Sequence, residues 1–299
     1  MVQKNASDVV VKGIVHLMLL AFAALCLLPM IVTVSISFSN EQDLVRNGYS
    51  LLPRMFDSAA YTYILRAPKP LISSYWVTLR VTAIGTVLGV LFMSMAAFPL
   101  SRRDFAWGRM INFYVFFTML FSGGLVPTYI VIVRYLHLKN NFWVLVLPLV
   151  VVPWFVFLFL TYFKSIPFEL IESAKLDGAS ELTIYWRIVL PMSKPAVATV
   201  ALLLSLRYWN EWFIGLLYID KAGLIPLQLW MQRVMSNMQF LLENIDYMGG
   251  TNMQQMIKDL PTESVRMAMA VLAAGPMMFI FPFFQKYFTK GLTVGSLKG

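Results

Sequence analysis

The sequence predicts an all-α membrane protein with six transmembrane helices and both termini in the cytoplasm. Of its 299 residues, 59% are hydrophobic and only 13% are charged, whereas about a quarter of a soluble domain is charged. The apolar residues lie in six runs, each long enough for the roughly 20 helical residues that cross a hydrocarbon core. Lys and Arg are concentrated in the connectors that this topology places in the cytoplasm.

Six apolar runs define the predicted spans. They lie at residues 14–38, 72–100, 111–133, 142–163, 195–219 and 266–285. The first run follows Lys4 and Lys12, as a signal peptide would, but it extends from Gly13 to Phe38. Because a signal-peptide core has only about 7–15 apolar residues, we expect this run to be a retained span.

The segments between the spans are assigned by their charge. The basic residues of the predicted cytoplasmic side are Arg102, Arg103, Arg109, Lys164, Lys175, Arg187, Lys194, Lys286, Lys290 and Lys298. The bias is modest, because the opposite loop carries Arg46, Arg54, Arg66 and Lys69. The predicted organisation is a cytoplasmic N-terminus 1–13, a first helix 14–38, an external loop 39–71, a core domain 72–285 and a cytoplasmic tail 286–299. Within the core domain, residues 164–194 form a cytoplasmic loop and residues 220–265 an external one.

Composition argues against several classes of function. The net charge of +9 comes from residues placed between apolar runs, so it indicates orientation in a bilayer rather than nucleic-acid binding. The chain has one cysteine, Cys26, and two histidines far apart in sequence, His16 and His137. These residues argue against a His/Cys metal cluster. No GxxxxGK[ST], HExxH or GxSxG motif is present. We therefore expect no catalytic residue, no metal and no cofactor in this chain.

The segment 165–195 predicts two short helices at a membrane surface. Pro167 suits a first helical turn, and Glu169 and Glu172 suit the positive end of the helix dipole. Gly178 fits a chain reversal, and Ser180 can cap a second helix. By spacing alone, the pair is equally compatible with an amphipathic entry into the lipid headgroups and with docking of a cytoplasmic partner.

The same segment resembles the EAA loop of ABC-importer permeases. The pattern E-A-A, D-G-A and I-x-L-P appears here as Glu172-Ser173-Ala174, Asp177-Gly178-Ala179 and Ile188-Val189-Leu190-Pro191. Ser173 replaces the central alanine, a change between small residues that should still pack. The resemblance implies that this loop contains a coupling helix seated in a groove of an ATPase subunit. The coupling residues that it implies are Glu172, Ser173, Ala174, Asp177, Gly178, Ala179, Ile188, Leu190 and Pro191.

The resemblance extends over most of the chain. Maltose-type permeases have stretches similar to Tyr75–Leu79, Trp209–Trp212 and the tail stretches Phe284–Phe288 and Lys290–Gly295. Phe121–Tyr129 resembles a narrower branch, the lipoprotein-linked and pectin-type systems that take up complex oligosaccharides or polysaccharide fragments. The resemblance thus implies a type I ABC importer permease fold in a bacterial cell membrane.

That resemblance also implies partners. We expect a second, homologous permease subunit as a heterodimer partner, two copies of a cytoplasmic ATPase that bind ATP and Mg, and an extracellular solute-binding protein that delivers the carbohydrate. A stand-alone secondary sugar carrier driven by an ion gradient is the alternative, although no inverted repeat is evident. A membrane glycosyltransferase is a third reading, but Asp43, Asp57, Asp246 and Asp259 are too scattered for a carboxylate cluster.

Polar residues inside the predicted spans suggest a substrate path. A charged side chain in a span costs about 2.5–3.5 kcal/mol on insertion scales. Arg80 lies near an outer end, where it can either reach the interface or face a path. Arg207 and Glu211 are four residues apart and can pair. We expect Asn210, Glu211, Tyr208 and Arg80 along the substrate path, and a close helix contact, with the partner permease as one option, at Gly85 and Gly89.

Overall fold

The computed structural model describes residues 6–66, 68–244 and 261–296, and most of these are helical. The α-helices are α1 Ala6–Ser37, α2 Glu41–Asn47, α3 Ala59–Leu65, α4 Pro68–Ser101, α5 Gly108–Leu120, α6 Leu125–Ile130, α7 Leu147–Val150, α8 Pro153–Lys164, α9 Phe168–Leu176, α10 Glu181–Ile184, α11 Leu190–Met192, α12 Lys194–Trp209, α13 Phe213–Tyr218, α14 Leu227–Glu243 and α15 Thr262–Ser296. Two π-helical turns, Val131–Tyr135 and Tyr185–Val189, and two 3₁₀ turns, Phe142–Leu145 and Ala222–Leu224, complete the list. In this part of the chain the extended pairing is one antiparallel bridge between Ser39 and Phe56.

Three helical segments are each long and apolar enough to cross a membrane alone: Val11–Ser37, Pro68–Ser101 and Thr262–Ile280. Three bent pairs also qualify if each pair counts as one span: Gly108–Leu120 with Leu125–Tyr135, Phe142–Val150 with Pro153–Lys164, and Glu181–Met192 with Lys194–Trp209. The described residues therefore hold three such helices, or up to six. Six spans and cytoplasmic termini stay predictions.

Helix breaks interrupt three of the predicted spans, including 142–163, whose axis bends by 47° between Val150 and Pro153. Between α5 and α6 the axis turns by 109°, and Gly124 adopts φ 85°, a left-handed conformation that glycine adopts without a Cβ clash. The predicted span 111–133 crosses this break. The predicted span 195–219 is also interrupted, since α12 ends at Trp209 and α13 begins at Phe213. None of these three breaks was predicted from the sequence.

The chain divides into two compact units, of which the first comprises residues 1–68 and 233–275. The side chain of Asn40 caps α2 by accepting from the backbone N–H groups of Gln42 and Asp43. The carboxylate of Glu41 accepts four hydrogen bonds of 2.8–3.1 Å from Thr262, Glu263 and Ser264. Glu41 thus satisfies free N–H groups at the positive end of α15. Within the predicted external loop 220–265, residues 245–260 lie outside the described part of the chain.

The second unit comprises residues 69–232 and 276–299. Its core includes α4, α8 and α12, whose facing side chains are buried. A Cβ on Gly85 would overlap the ring of Tyr208, and a Cβ on Gly89 would overlap the side chain of Leu204. The two glycines therefore admit α12 of the same chain. The side chains of the C-terminal stretch Phe284–Gly295, which carries the tail motif, lie outside the described part.

We predict that Gly85→Ala destabilises the protein, because the added methyl group would occupy space held by the ring of Tyr208. Overpacking of this kind costs about 1–3 kcal/mol. Thermal unfolding in detergent should show a lower midpoint for Gly85→Ala than for the parent protein. Gly275→Ala is the matched control, since no atom lies within 4 Å of its added Cβ. Equal midpoints for the two variants would contradict the close α4–α12 contact.

Candidate functional site

A tight reversal joins the two short helices between α8 and α12. Gly178 has φ 80°, and its N–H donates to the Lys175 carbonyl at 3.0 Å. The Ala179 N–H donates to the Ala174 carbonyl at 2.9 Å. These two bonds form a Schellman motif, which satisfies the last carbonyls of α9. Gly178 thus reverses the chain as the sequence indicates, because a side chain at this φ would be strained.

Capping determines where the two helices begin. Pro167 takes the N-cap position of α9, one residue before the first helical turn. The Ser180 hydroxyl accepts from the Thr183 N–H at 3.2 Å and lies 2.8 Å from the Thr183 hydroxyl. This confirms Ser180 as the cap of the second helix. The π-helical turn Tyr185–Val189 and α11 then continue the chain to α12.

One face of the loop is buried against the protein. Ile171, Ile184, Tyr185 and Val189 are all buried. The Tyr185 ring packs against Phe98 of α4 with 5.6 Å between centroids, and its hydroxyl lies 2.8 Å from the hydroxyl of Ser94. Because Ser94 also lies 2.6 Å from the Val90 carbonyl, which can only accept, Ser94 donates there and Tyr185 donates to Ser94.

Four charged side chains join the loop to the end of α4. Lys175 Nζ lies 2.7 Å from Glu181 and 3.1 Å from Asp104. Arg102 lies 3.4 Å from Asp104 and 3.7 Å from Glu181. The hydrogen bond to Glu181, and to a lesser degree the one to Asp104, raises the pKa of the Lys175 ammonium. The hydrogen bond from Lys175 lowers the pKa of the Asp104 carboxyl. From the sequence, Arg102 only indicated the cytoplasmic side of the membrane, and Asp104 had no predicted role. No local motif marks this cluster.

The opposite face of the loop is exposed. Of the predicted coupling residues, Glu172, Ser173, Asp177, Gly178 and Pro191 are exposed, and Ala174, Ala179, Ile188 and Leu190 are half-buried. Four large apolar residues are also exposed, Leu170, Leu176, Leu182 and Trp186, and Leu176 reaches 85%. An exposed apolar surface bordered by carboxylates is typical of a contact with another protein or with a membrane.

The residues predicted for the substrate path take different positions. Tyr208 is buried inside the second unit, and its hydroxyl donates to the Val146 carbonyl at 2.8 Å. Its ring therefore packs α12 against α4. Asn210 is exposed just beyond α12, and its amide donates to the Leu206 carbonyl at 2.8 Å. Glu211 is half-buried and accepts from the Ile214 N–H at 2.9 Å, which caps α13.

The Arg207–Glu211 ion pair that the spacing permits does not form among the described residues. Such a pair requires one continuous helix, in which residues four apart share a face. Instead α12 ends at Trp209, and the Glu211 carboxylate caps the following helix. Arg207 is left on the exposed surface of α12. The helix break therefore removes the paired arrangement that the sequence left open.

Arg80 and Arg207 are exposed cations within the apolar stretches of α4 and α12. Arg80 donates through Nε to the Trp76 carbonyl at 3.2 Å. Gly85 faces Tyr208, and Gly89 faces Leu204. The residue numbers thus rise along α4 as they fall along α12, so the two helices are antiparallel. Arg207, one residue before Tyr208, therefore lies about level with Thr86. That level is about 24 Å along α4 from Arg102, at 1.5 Å per residue. If Arg102 marks one membrane surface, Arg207 lies inside a hydrocarbon core about 30 Å thick.

Comparison with known proteins shows similarity to one family of membrane transport components. Residues 85–294 match the family described as binding-protein-dependent transport system inner membrane component. Protein LplC of Bacillus subtilis is 36% identical over 276 residues, covering 92% of this chain and 90% of LplC. The polygalacturonan/rhamnogalacturonan transport system permease protein YtcP of Bacillus subtilis is 36% identical over 281 residues, covering 94% and 96%. A crystal structure of a bacterial ABC transporter involved in the import of the acidic polysaccharide alginate has a chain with TM-score 0.78 and 27% identity, covering 96% of this chain and 100% of that one.

We predict that Lys175 and Glu181 are energetically coupled. Lys175→Met and Glu181→Gln should each loosen the loop, and the double variant should lose less than the sum, since one contact is removed twice. Partly exposed pairs contribute up to about 1 kcal/mol, which corresponds to a roughly fivefold change in hydrogen-exchange protection of residues 165–191 at neutral pH. Lys164→Met is the control, because Lys164 is exposed and has no ion pair among the described residues. Additive effects would contradict the coupling.

The coupling has a defined pH window. The lowered pKa of Asp104 contributes stability above its ordinary value of 3.8, which is lost as the pH falls through the folded-state pKa. The raised pKa of Lys175 contributes stability below 10.5, which is lost as the pH rises through the folded-state pKa. The protection that Lys175→Met removes from residues 165–191 should therefore be equal at about pH 5 and about pH 9. A change across that range would mean that other groups hold the loop.

Proposed function

We propose that this chain, which belongs to the family of binding-protein-dependent transport system inner membrane components, is the membrane-spanning permease subunit of an ATP-driven importer. Its cargo is an oligosaccharide or polysaccharide fragment delivered by an extracellular solute-binding protein. The observation that carries the proposal is the loop between α8 and α12, which is anchored on one face and exposes apolar and acidic residues on the other. No comparison favours a stand-alone carrier.

The exposed face of the loop is the proposed docking surface for an ATPase subunit. The chain has no P-loop sequence, so the energy of ATP must come from another chain. In our proposal two copies of a cytoplasmic ATPase bind ATP and Mg, and one copy holds α9 in a groove. Glu172, Ser173 and the exposed Leu176 enter that contact, and the Gly178 reversal sets the angle between α9 and α10.

A continuous series of contacts leads from the loop into the membrane. Tyr185 and the ion cluster attach the loop to the end of α4. The glycine face of α4 then packs against Tyr208 and Leu204 of α12. A displacement of the loop therefore moves α4, and α12 must follow because the packed core resists compression. We infer that closing of the ATPase dimer reaches the helix break after Trp209 by this route.

The proposed importer is completed by a second, homologous permease subunit in a bacterial inner membrane. Six spans with both termini in the cytoplasm put the loop between α8 and α12 on the ATPase side. The exposed surfaces of α4 and α12 that carry Arg80, Arg207 and Asn210 then border a path shared with the second subunit. An unpaired arginine at this depth is costly in lipid, and a water-filled path relieves that cost.

The proposed cargo is acidic. In this proposal the exposed Arg80 and Arg207 supply two cations to the path, and arginine binds carboxylates through paired N–H groups. Two of the similar proteins act on acidic polymers according to their descriptions, polygalacturonan for YtcP and alginate for the solved transporter. Asn210 supplies an amide for sugar hydroxyls at the same helix break. We therefore propose uronate-containing fragments as the substrate class.

We predict that Gly178→Val abolishes coupling. A β-branched residue at φ 80° is strained by about 1–3 kcal/mol, so α9 would turn away from the ATPase groove. ATPase subunits that co-purify with the permease, and ATP-dependent uptake in proteoliposomes, should both fall by roughly tenfold or more. Gly223→Val is the control, since its φ is ordinary and no atom lies within 4 Å of its Cβ. Full docking and uptake in Gly178→Val would count against the proposed role of the loop.

We predict that Arg207→Gln slows uptake of acidic fragments only. Charge-assisted hydrogen bonds contribute about 1.5–3 kcal/mol, so trigalacturonate and trimannuronate should be carried at least about tenfold more slowly. Their neutral methyl esters should be carried at the parent rate, and Arg134→Gln, at another exposed arginine, should change neither. Because each variant is compared with the parent for each substrate, any preference of the binding protein cancels. Equal losses for acid and ester would give Arg207 a structural role instead.

A further inference from the structure

A cavity of about 380 Å³ lies between the end of α4 and the start of α10. Its lining residues are Met95, Phe98, Pro99, Arg102, Asp104, Phe105, Glu181, Leu182 and Tyr185. Most of them are apolar, and the charged ones lie together at the end of α4. The volume is within the range of small-molecule sites, about 300–1,000 Å³. The cavity therefore has an apolar body and one charged end.

Arg102 is the unusual member of this lining. Its side chain is only 6% exposed, and its guanidinium carbon lies 5.8 Å from the ring centroids of both Phe98 and Phe168. Nε donates to Asp104 at 3.4 Å, and Nη2 is 3.7 Å from Glu181, too far for a hydrogen bond. Within the described residues, Nη1 and Nη2 have no hydrogen-bond acceptor.

Neighbouring carboxylates do not satisfy these N–H groups. Lys175 holds Glu181 at 2.7 Å and Asp104 at 3.1 Å, so both carboxylates already have a closer cation. A buried guanidinium with unused donors costs several kcal/mol unless an acceptor reaches it. The four hydrogens on Nη1 and Nη2 are arranged to bind two oxygens of one phosphate or carboxylate. The charged end of the cavity thus lacks one acceptor group.

The position of the cavity favours a lipid over a protein segment. Met95 precedes Arg102 by seven residues, which is about 10 Å of helix. The apolar walls therefore extend along α4, a helix long and apolar enough to cross a membrane, while the free N–H groups lie at its end. A soluble ATPase reaches the end of α4 but not its membrane-embedded side. A molecule with an anionic head and an apolar tail fits both parts.

We propose that this cavity binds one phospholipid. The phosphate accepts hydrogen bonds from Nη1 and Nη2 of Arg102, and the first carbons of an acyl chain lie against Met95, Phe98 and Leu182. An ammonium-bearing headgroup could also contact Asp104 and Glu181, so the shared requirement is the phosphate. Because the cavity separates α10 from α4, the lipid also braces the loop on the helix to which it transmits motion.

The test is native mass spectrometry of the assembled importer, reconstituted with dioleoyl lipids and released from the membrane mimetic. The three lipids carry the same acyl chains: phosphatidylglycerol, phosphatidylethanolamine and the phosphate-free diglucosyl diacylglycerol. We expect this subunit, ejected from the complex, to retain one phospholipid and no glycolipid. Retention of either phospholipid supports the proposal and identifies the preferred headgroup. Retention of none, or of the glycolipid equally, overturns it.

Two variants locate the bound lipid. Arg102→Gln removes the phosphate ligand, and Leu182→Trp fills the apolar body while leaving all four charges in place. Both should reduce the retained phospholipid by at least about tenfold, the equivalent of 1.4 kcal/mol. Met110→Trp is the control, since Met110 is 61% exposed and does not line the cavity. If Arg102→Gln fails to assemble, Leu182→Trp alone decides, and unchanged retention in it overturns the proposal.

Discussion

The buried contact between Tyr185 and the end of α4 is the interaction on which the rest of the account depends. Tyr185 is 2% exposed and donates its hydroxyl to Ser94, which is fully buried. Breaking this pair would leave the buried Tyr185 hydroxyl without a partner, at a cost of about 1–3 kcal/mol, although Ser94 would keep its bond to the Val90 carbonyl. The loop can therefore sit on α4 in one register only. The exposed apolar face of the loop can receive force because the opposite face is held in this way.

A helix break explains how the apolar α12 exposes polar groups at its end. The chain between α12 and α13 places Asn210 and Glu211 where a continuous helix would have continued the Arg207 face. Glu211 is used to cap α13, so the positive charge of Arg207 is left without a counter-charge on its own helix. This combination of a broken helix and an unbalanced cation is typical of binding sites at membrane depth.

Local features were predictable from the sequence, and long-range ones were not. The Gly178 reversal and the Ser180 cap follow from backbone conformation and hydrogen bonding within a few residues, so residue type predicts them. The position of Tyr208 depends on Gly85, more than a hundred residues away, and hydropathy alone predicts only that both lie in spans. Arg102 was read as an orientation signal, although the fold buries it between Phe98 and Phe168. The break after Trp209 was missed because Asn210 and Glu211 were interpreted as polar residues within one continuous span.

Rigid attachment of the loop to α4 is the central claim, and a distance measurement tests it directly. Spin labels at the exposed Arg187 of the loop and at the exposed Val87 of α4, in a Cys26→Ser background of the assembled importer, report the separation by pulsed electron spin resonance. With and without trapped ATP, the account predicts the same distance within about 2 Å, since packed elements shift little against each other. A change of about 5 Å, one helical turn, would mean that the loop slides on α4 and that force reaches the membrane by another route.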